Sequence, residues 1–360
     1  MADSSCGEVN TCRVSIIMPA FNAATTIGEA ITSALAQTEI DVELIIIDDA
    51  STDDTVRIAD GFAHRDRRVR VLRRTVNGGP AAARNHGFEA ARGQWIAVLH
   101  ADDLYAPQRL QRLIALAEAT AADIVSDNLM VHQAESANPP YLLISPDRLP
   151  SSRRLHTSAF VEGNTGTSRT RRECYGFMQP LVKRAFLKRH GIRYDVRNRF
   201  GEDYLFSLKC LLAGARWWIT PEALYYYHVT PDTATAKQSS TDLRRISLVE
   251  QALLGDPAVR ADSLLTSALR RHKAKIDHNY FYRAFTDAVK AHEYRTAASL
   301  LFTSTASLVA IVGEAIAQAP VIARKFHAGG YGGTMAPREQ VPEPSRARTA
   351  AALPPAKFIA

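Results

Sequence analysis

Cysteine is scarce. Cys6, Cys12, Cys174 and Cys210 are the four in 360 residues, and no two of them stand in a CxxC pair. The chain therefore reads as carrying reduced thiols in a cytosolic compartment rather than a disulfide framework. The first residues, MADSSCGEVNTC, lack a basic segment followed by an apolar one, so no secretory signal is expected. A spanning helix needs about 20 apolar residues. The uncharged stretch AASLLFTSTASLVAIVG (297–313) is shorter, holds five Ser or Thr, and is followed by Glu314. It reads as a helix that packs or lies in an interface. A GxGxxG turn is missing as well: the residues after the first apolar run are PAFNAA, which weighs against the dinucleotide-binding oxidoreductase that an α/β pattern alone allows. Lys and Arg are scattered with no recognised motif, so no nucleic-acid partner is expected.

What is present is the make-up of a folded protein, 46% hydrophobic and 22% charged, with a net charge of +7. That excess suits either simple solubility or an anionic partner, and chooses between neither. From residue 14 short apolar runs alternate with helix-like segments. VSIIM (14–18), VELIII (42–47), VRVL (69–72), WIAVL (95–99) and DIVSD (123–127) are strand-like. Between them, 25–38 places Ile27, Ala30, Ile31, Ala34 and Leu35 on one stripe. Helices are also predicted at 53–66, 78–93 and 107–120, the last with Leu110, Leu113, Ile114 and Ala117 on one face. Buried strands alternating with amphipathic helices predict an α/β fold with a mainly parallel, Rossmann-like sheet. Residues 128–175 read as a long irregular region. A helix is expected around 181–190, and WWIT (217–220) and ALYYYHVT (223–230) as strands. Residues 240–295 read as helical, and the Gly/Pro/Ala-rich 328–360 as a disordered tail.

In such sheets ligands bind off the carboxyl ends of the strands. Those ends carry Pro19-Ala20-Phe21-Asn22, Asp48-Asp49 and His100-Ala101-Asp102-Asp103. A carboxylate pair at a strand end suits a hard divalent cation, Mg²⁺ or Mn²⁺, which also takes oxygens from phosphate and water. The competing reading is a helix cap, but a cap would adjoin Pro107. A second acidic pair, Glu202-Asp203, follows Gly201 and precedes an apolar helix. Acids there also complement a helix dipole.

Five segments in order, VSIIMPAFN (14–22), LIIIDDASTDDT (44–55), NGGPAAARNHG (77–87), VLHADD (98–103) and GEDYLF (201–206), make the chain resemble the family 2 glycosyltransferases of GT-A fold. These enzymes are nucleotide-sugar dependent and inverting. More narrowly, the chain is similar to bacterial exopolysaccharide glucosyltransferases of the succinoglycan type. The resemblance implies a GT-A domain over 13–235, preceded by a flexible leader at 1–12. A helical C-terminal extension over 236–327, associating with membrane, follows it. It implies a UDP-sugar donor and a hydroxyl acceptor on a growing, lipid-linked glycan at the inner face of the cell membrane. An anionic membrane surface is the expected neighbour.

Residue by residue, the resemblance has Pro19, Ala20 and Phe21 line the base and ribose pocket. Asp49 accepts from the uracil edge, and Arg84 contacts the nucleotide. Asp102 binds the metal, and Asp203 serves as general base with Glu202 in support. His100 stands where the family usually has Asp. An imidazole carries no negative charge, which implies weaker Mg²⁺ binding and a preference for Mn²⁺, with His100 touching ribose or metal. The substitution also motivates an alternative, a degenerate subunit that binds the nucleotide sugar without turning it over. His228 matches a loop that folds over the diphosphate, although a lone His is more often ordinary. Trp217 and Trp218 are more simply core than sugar platforms. The QxxRW motif of processive synthases is absent, since Gln238 in KQSST does not complete it, so addition of one hexose is expected.

Overall fold

The computed structural model describes residues 12–133, 139–165, 174–229, 239–303, 305, 307–313 and 316. In chain order they form β1 (Val14–Ala20), α1 (Ile27–Leu35), β2 (Val42–Asp48), α2 (Thr55–Ala63), β3 (Val69–Arg73), α3 (Pro80–Ala90), β4 (Trp95–Val98), β5 (Leu104–Tyr105), α4 (Arg109–Thr120), β6 (Ile124–Gln133), β7 (Tyr141–Leu142), β8 (Arg153–Leu155) and α5 (Thr157–Thr165). After a 3₁₀ turn at Tyr175–Phe177 come β9 (Leu181–Lys183), α6 (Arg184–His190), α7 (Glu202–Leu212), β10 (Trp217–Val229), α8 (Ser240–Gly255), α9 (Pro257–Ala261), α10 (Ser263–Lys290) and α11 (Tyr294–Leu301).

One sheet runs β3-β2-β1-β4-β9-β6-β10-β5, with β7 beside β6 and β8 beside β10. β1 to β4 are mutually parallel, as are β6 and β10. β9 lies between β4 and β6 and is antiparallel to both. Successive strand residues face opposite sides. Ile16, Met18, Leu44 and Ile46 accordingly enter one apolar cluster, with α1 and α4, while Ile17, Ile45 and Ile47 enter the other. Burial on both faces is why these strands read as near-continuous apolar runs. On α1 and α4 the residues of the expected stripes are buried, Leu35 alone only partly, and α4 buries Arg109 as well.

Three segments differ from the sequence reading. β6 continues to Gln133, and β7, β8 and α5 lie within the region expected to be irregular. The expected helix at 181–190 is a strand, β9, followed by α6. Three residues are too few to show an alternating period. WWIT and ALYYYHV (223–229) belong to one strand, β10, whose register against β6 shifts between Ile219 and Ala223, around Pro221, while Thr230 lies outside the described residues. Proline donates no ladder hydrogen bond, so the irregularity falls there.

Within the C-terminal helices, α10 packs on both α8 and α5. Among the described residues no helix is long and apolar enough to cross a membrane, and Cys12, Cys174 and Cys210 form no disulfide. The leader before Cys12 and the tail 328–360 lie outside the described residues.

Candidate active site

Register places the polar strand ends together. Ala20 pairs with Asp48, Ile17 with Val98, and the Leu99 amide donates to the Ile17 carbonyl, so His100 emerges at the same edge as Phe21 and Asp49. Pro19 is partly exposed, Ala20 is buried and Phe21 is 50% exposed, an apolar ring standing free at that edge.

Asp49 is buried, and its carboxylate already has partners. Oδ1 accepts from the Gly78 amide at 3.1 Å and Oδ2 from the Gly79 amide at 2.7 Å, while Arg74 Nε lies 3.0 Å from Oδ1. Asp49 thus ties β2 to the loop that starts α3. Gly79 has φ +81°, a left-handed value that favours glycine, and Pro80 follows at the first helical turn.

Arg84, on α3, is the hub. It is buried, and Nη1 donates to Glu202 Oε1 at 3.0 Å and lies 3.2 Å from Asp203 Oδ1. Nη2 meets His100 Nε2 at 2.9 Å, and the guanidinium sits over the Tyr194 ring at 4.9 Å. Burial alone would lower the guanidinium's hold on its proton. Asp203 and Glu202 outweigh it and raise the value above the ordinary one. One side chain therefore joins the pair at 202–203 to His100, which in turn meets Asp103 of the other pair.

The first pair is built from the end of β4. Asp103 has no exposed surface; Oδ2 accepts from Tyr225 OH at 2.7 Å and lies 3.2 Å from His100 Nδ1, and Oδ1 accepts from the His228 amide at 2.8 Å. Asp103 fastens the strand end to β10, so a cation there would compete with these bonds for its oxygens. A guanidinium has donors only. His100 Nε2 must therefore accept from Arg84, which leaves the ring proton on Nδ1, donated to Asp103. Burial disfavours the imidazolium and Asp103 favours it, with a net upward pull. The Arg84 contact nevertheless requires the neutral ring in this arrangement.

His100 was expected to touch ribose or metal. Here both its nitrogens are engaged within the protein, so those contacts need Arg84 to move. Asp102 has the less committed carboxylate. Burial and the neighbouring Asp103 raise its proton affinity, which is the electrostatic signature of a site that gains from a cation. His100, Asp102 and Asp103 each bring one ligand atom to within 4.8 Å of the others, a spacing that suits a metal ion.

The second pair opens α7. Gly201 takes φ +72° as its N-cap, and Glu202 and Asp203 occupy the first turn, where the helix dipole favours acids. Glu202 is buried, and burial with Asp203 beside it raises its proton affinity. Asp203 keeps 21% of its side chain exposed. Burial and Asp203 drive the Tyr194 phenol well above its ordinary value, so it remains a donor.

His228 is on strand β10 rather than in a loop. Its ring lies 5.5 Å from that of His132, and its buried Nδ1 has no hydrogen-bond partner among the described residues. Trp217 is fully buried and donates to Ser126 Oγ at 2.7 Å, as a core residue should. Tyr194 and Tyr225 escaped the sequence reading. Tyr225 lies in a tyrosine run that read simply as strand, and Tyr194 has no local signal, because its place depends on where α3 and α7 meet.

Comparison with known proteins agrees with this architecture. Residues 15–183 match the glycosyl transferase family 2 domain. Succinoglycan biosynthesis protein ExoU of Rhizobium meliloti (strain 1021) is 36% identical over 305 residues, spanning 84% of this chain and 87% of that protein. Succinoglycan biosynthesis protein ExoO of the same strain is 39% identical over 216 residues, 60% of each. Among solved structures, S. aureus TarS 1–349 in complex with UDP-GlcNAc superposes with a TM-score of 0.60 at 17% identity, covering 79% of this chain and 89% of that one. The mannosyltransferase PcManGT from Pyrobaculum calidifontis, in complex with GDP-Man and Mn²⁺, gives 0.52 at 18% identity and 88% of each. At those identities the structural likeness speaks for the fold, which is GT-A-like. By its domain match and its relation to ExoU over most of both chains, the protein belongs to glycosyltransferase family 2.

Proposed function

We propose that the protein transfers a single hexose, with inversion, from a UDP-sugar to a hydroxyl of a growing, lipid-linked glycan in exopolysaccharide assembly. The observation that carries this reading is the Arg84 bridge, which holds Asp203 and the His100–Asp102 strand end around one guanidinium. Inversion needs a base on one face of the sugar and charge neutralisation at the departing diphosphate on the other. Asp203, partly exposed, takes the proton of the incoming hydroxyl. Glu202, buried, holds Arg84 in place. Pro19, Ala20 and Phe21 form the apolar edge against which a base rests, and Asp49 fixes the loop before α3 beside it. Asp102 would hold the metal, Mn²⁺ or Mg²⁺, which when bound supplies positive charge to the leaving diphosphate. The relatives ExoU and ExoO, named for succinoglycan biosynthesis, support the exopolysaccharide setting.

A nucleotide-sugar panel tests the donor. UDP-glucose, UDP-galactose and UDP-N-acetylglucosamine are each added with Mn²⁺, with Mg²⁺ or with EDTA, and thermal stability is read. A donor at 100 times its Kd should add about 2.7 kcal/mol. The gain should vanish in EDTA and in Asp102→Asn, and His100→Asp should move the preference toward Mg²⁺. No stabilisation by any UDP-sugar would defeat the reading. His100, with both nitrogens engaged, favours one rival, a subunit that binds the donor without using it. Stabilisation with no UDP release on any acceptor would establish that rival.

The membrane surface has its own support. Phe302 is 84% exposed and Val309 67% exposed, within a segment, 297–313, that carries no charge. Large exposed apolar side chains of this kind suit a lipid interface. The protein should float with vesicles containing phosphatidylglycerol, and Phe302→Ser with Val309→Ser should reduce the bound fraction several-fold. Failure to float with anionic vesicles would point instead to a water-soluble acceptor.

A further inference from the structure

The helices after residue 239 reach the start of α7 at several points. Ser239 caps α8 through a reciprocal bond with Asp242, and Asp242 Oδ1 accepts from the Arg199 amide at 3.2 Å, in the segment that leads into the acidic pair. Arg245 donates to the Arg197 carbonyl in the same segment. A Cβ at Gly201 would lie 2.6 Å from Ile246 Cδ1, so the turn before Glu202 is seated directly on α8. Within the first turn of α7, Tyr204 OH donates to Glu250 Oε1 at 2.6 Å, and His272 Nδ1 lies 2.6 Å from the same oxygen. The Tyr204 ring stacks on His272 at 4.7 Å and, on another side, on Phe160 at 5.5 Å. Glu250 has no exposed surface, His272 is buried, and among the described residues Glu250 Oε2 has no partner. Burial and Glu250 push the Tyr204 phenol far above its ordinary value, so it stays a donor at any working pH.

This is a costly way to fill space. Replacing buried polar groups with apolar ones of similar volume is often neutral or stabilising. What a carboxylate supplies and an apolar side chain does not is direction: it fixes the rotamer of Tyr204, and Tyr204 is the neighbour of Asp203 on the first turn of α7. We propose that Glu250, backed by His272, is a positioning residue that acts through Tyr204 to hold Asp203 in its working orientation. The inference rests on the reading of Asp203 as the base.

Glu250→Leu tests it. The variant leaves the Tyr204 hydroxyl and the His272 ring without their shared acceptor, so its thermal stability should fall, while it binds UDP as the wild type does. Its kcat for UDP-glucose hydrolysis should fall about 10–100-fold, the range typical of lost outer-shell support, with KM for UDP-glucose unchanged. Amide exchange at residues 202–205 should quicken without change elsewhere in α7. Glu250→Gln, which keeps an acceptor for Tyr204, should recover most of the rate. Glu250→Leu added to Asp203→Asn should cost nothing further, because both act on one group. Wild-type kcat and wild-type exchange in Glu250→Leu would overturn the proposal, and so would additive losses in the double variant. If Glu250→Leu does not fold, Tyr204→Phe keeps both ring stacks, removes only the donor, and must give the same pattern. Normal turnover by Asp203→Asn would refute the base itself, whereas an inactive Asp203→Asn beside a fully active Glu250→Leu would refute the positioning alone.

Discussion

Asp203→Asn is expected to lower hexose transfer by about 10²–10⁴, the usual contribution of a positioned general base, while UDP still binds. The two side chains have nearly the same volume. The amide oxygen can still accept from Arg84 Nη1, which lies 3.2 Å from Oδ1. Glu202 remains as the buried counter-charge to Arg84 at 3.0 Å, so the guanidinium is not left unpaired. What is lost is the capacity to take a proton, because an amide oxygen is far too weak a base at neutral pH. The measurement is UDP release against calorimetric UDP affinity in the same preparation. A fall in rate with unchanged affinity assigns the loss to the chemical step. Near-normal turnover would remove Asp203 from the role.

Asp127→Ala should have the largest effect on stability. Arg109 and Asp127 are both fully buried; Nε and Nη2 of Arg109 bond the two carboxylate oxygens at 2.9 and 2.7 Å, and Nη2 also donates to the Gln179 carbonyl at 2.6 Å. The guanidinium lies over the rings of Tyr105 and Tyr225 at 4.2 and 5.1 Å. Removing the carboxylate leaves a cation in the core without its partner, at a cost of about 3–5 kcal/mol. The double variant Arg109→Met with Asp127→Leu removes both charges and should cost much less. Urea unfolding separates the cases, with a shifted midpoint at constant slope marking a true stability change. Equal losses in the single and double variants would mean that packing, not the stranded charge, sets the cost. The pair also lies beneath Tyr225, whose hydroxyl anchors Asp103, so its loss should loosen the end of β4.

The parts of the fold that were legible in sequence are those whose neighbours leave a periodic mark. β1, β2 and β4 are mostly apolar because both sheet faces are covered, and α1 and α4 show a stripe because each has one face inward. β9 was illegible because three residues carry no period and its direction is set by strands far away in the chain. β10 looked like two strands because Pro221 interrupts a ladder that resumes at Ala223.

The site divides in the same way. The acidic pairs were visible as residue types at strand and helix starts, and the family resemblance gave them roles. Arg84 was marked as a nucleotide contact, but its function as the bridge between Asp203 and His100 depends on α3, α7 and β4 converging, which no local pattern records. Asp49 is a similar case: its burial and its bonds to Gly78 and Gly79 depend on the return of the chain at the start of α3. Asp103 gave no sign in sequence of being a fully buried anchor, because its partners, Tyr225 and His228, lie more than 120 residues away.

The reversed central strand has a consequence for biosynthesis. β4 and β6 are complete once residue 133 has left the ribosome, yet nothing joins them until Leu181–Lys183 arrives and hydrogen-bonds to both. Throughout that interval the nascent polypeptide carries raw sheet borders on both β4 and β6, each able to pair with a stranger. A polypeptide cut short before Leu181 would keep them for good, and self-association rather than a truncated but tidy half-molecule is its natural fate.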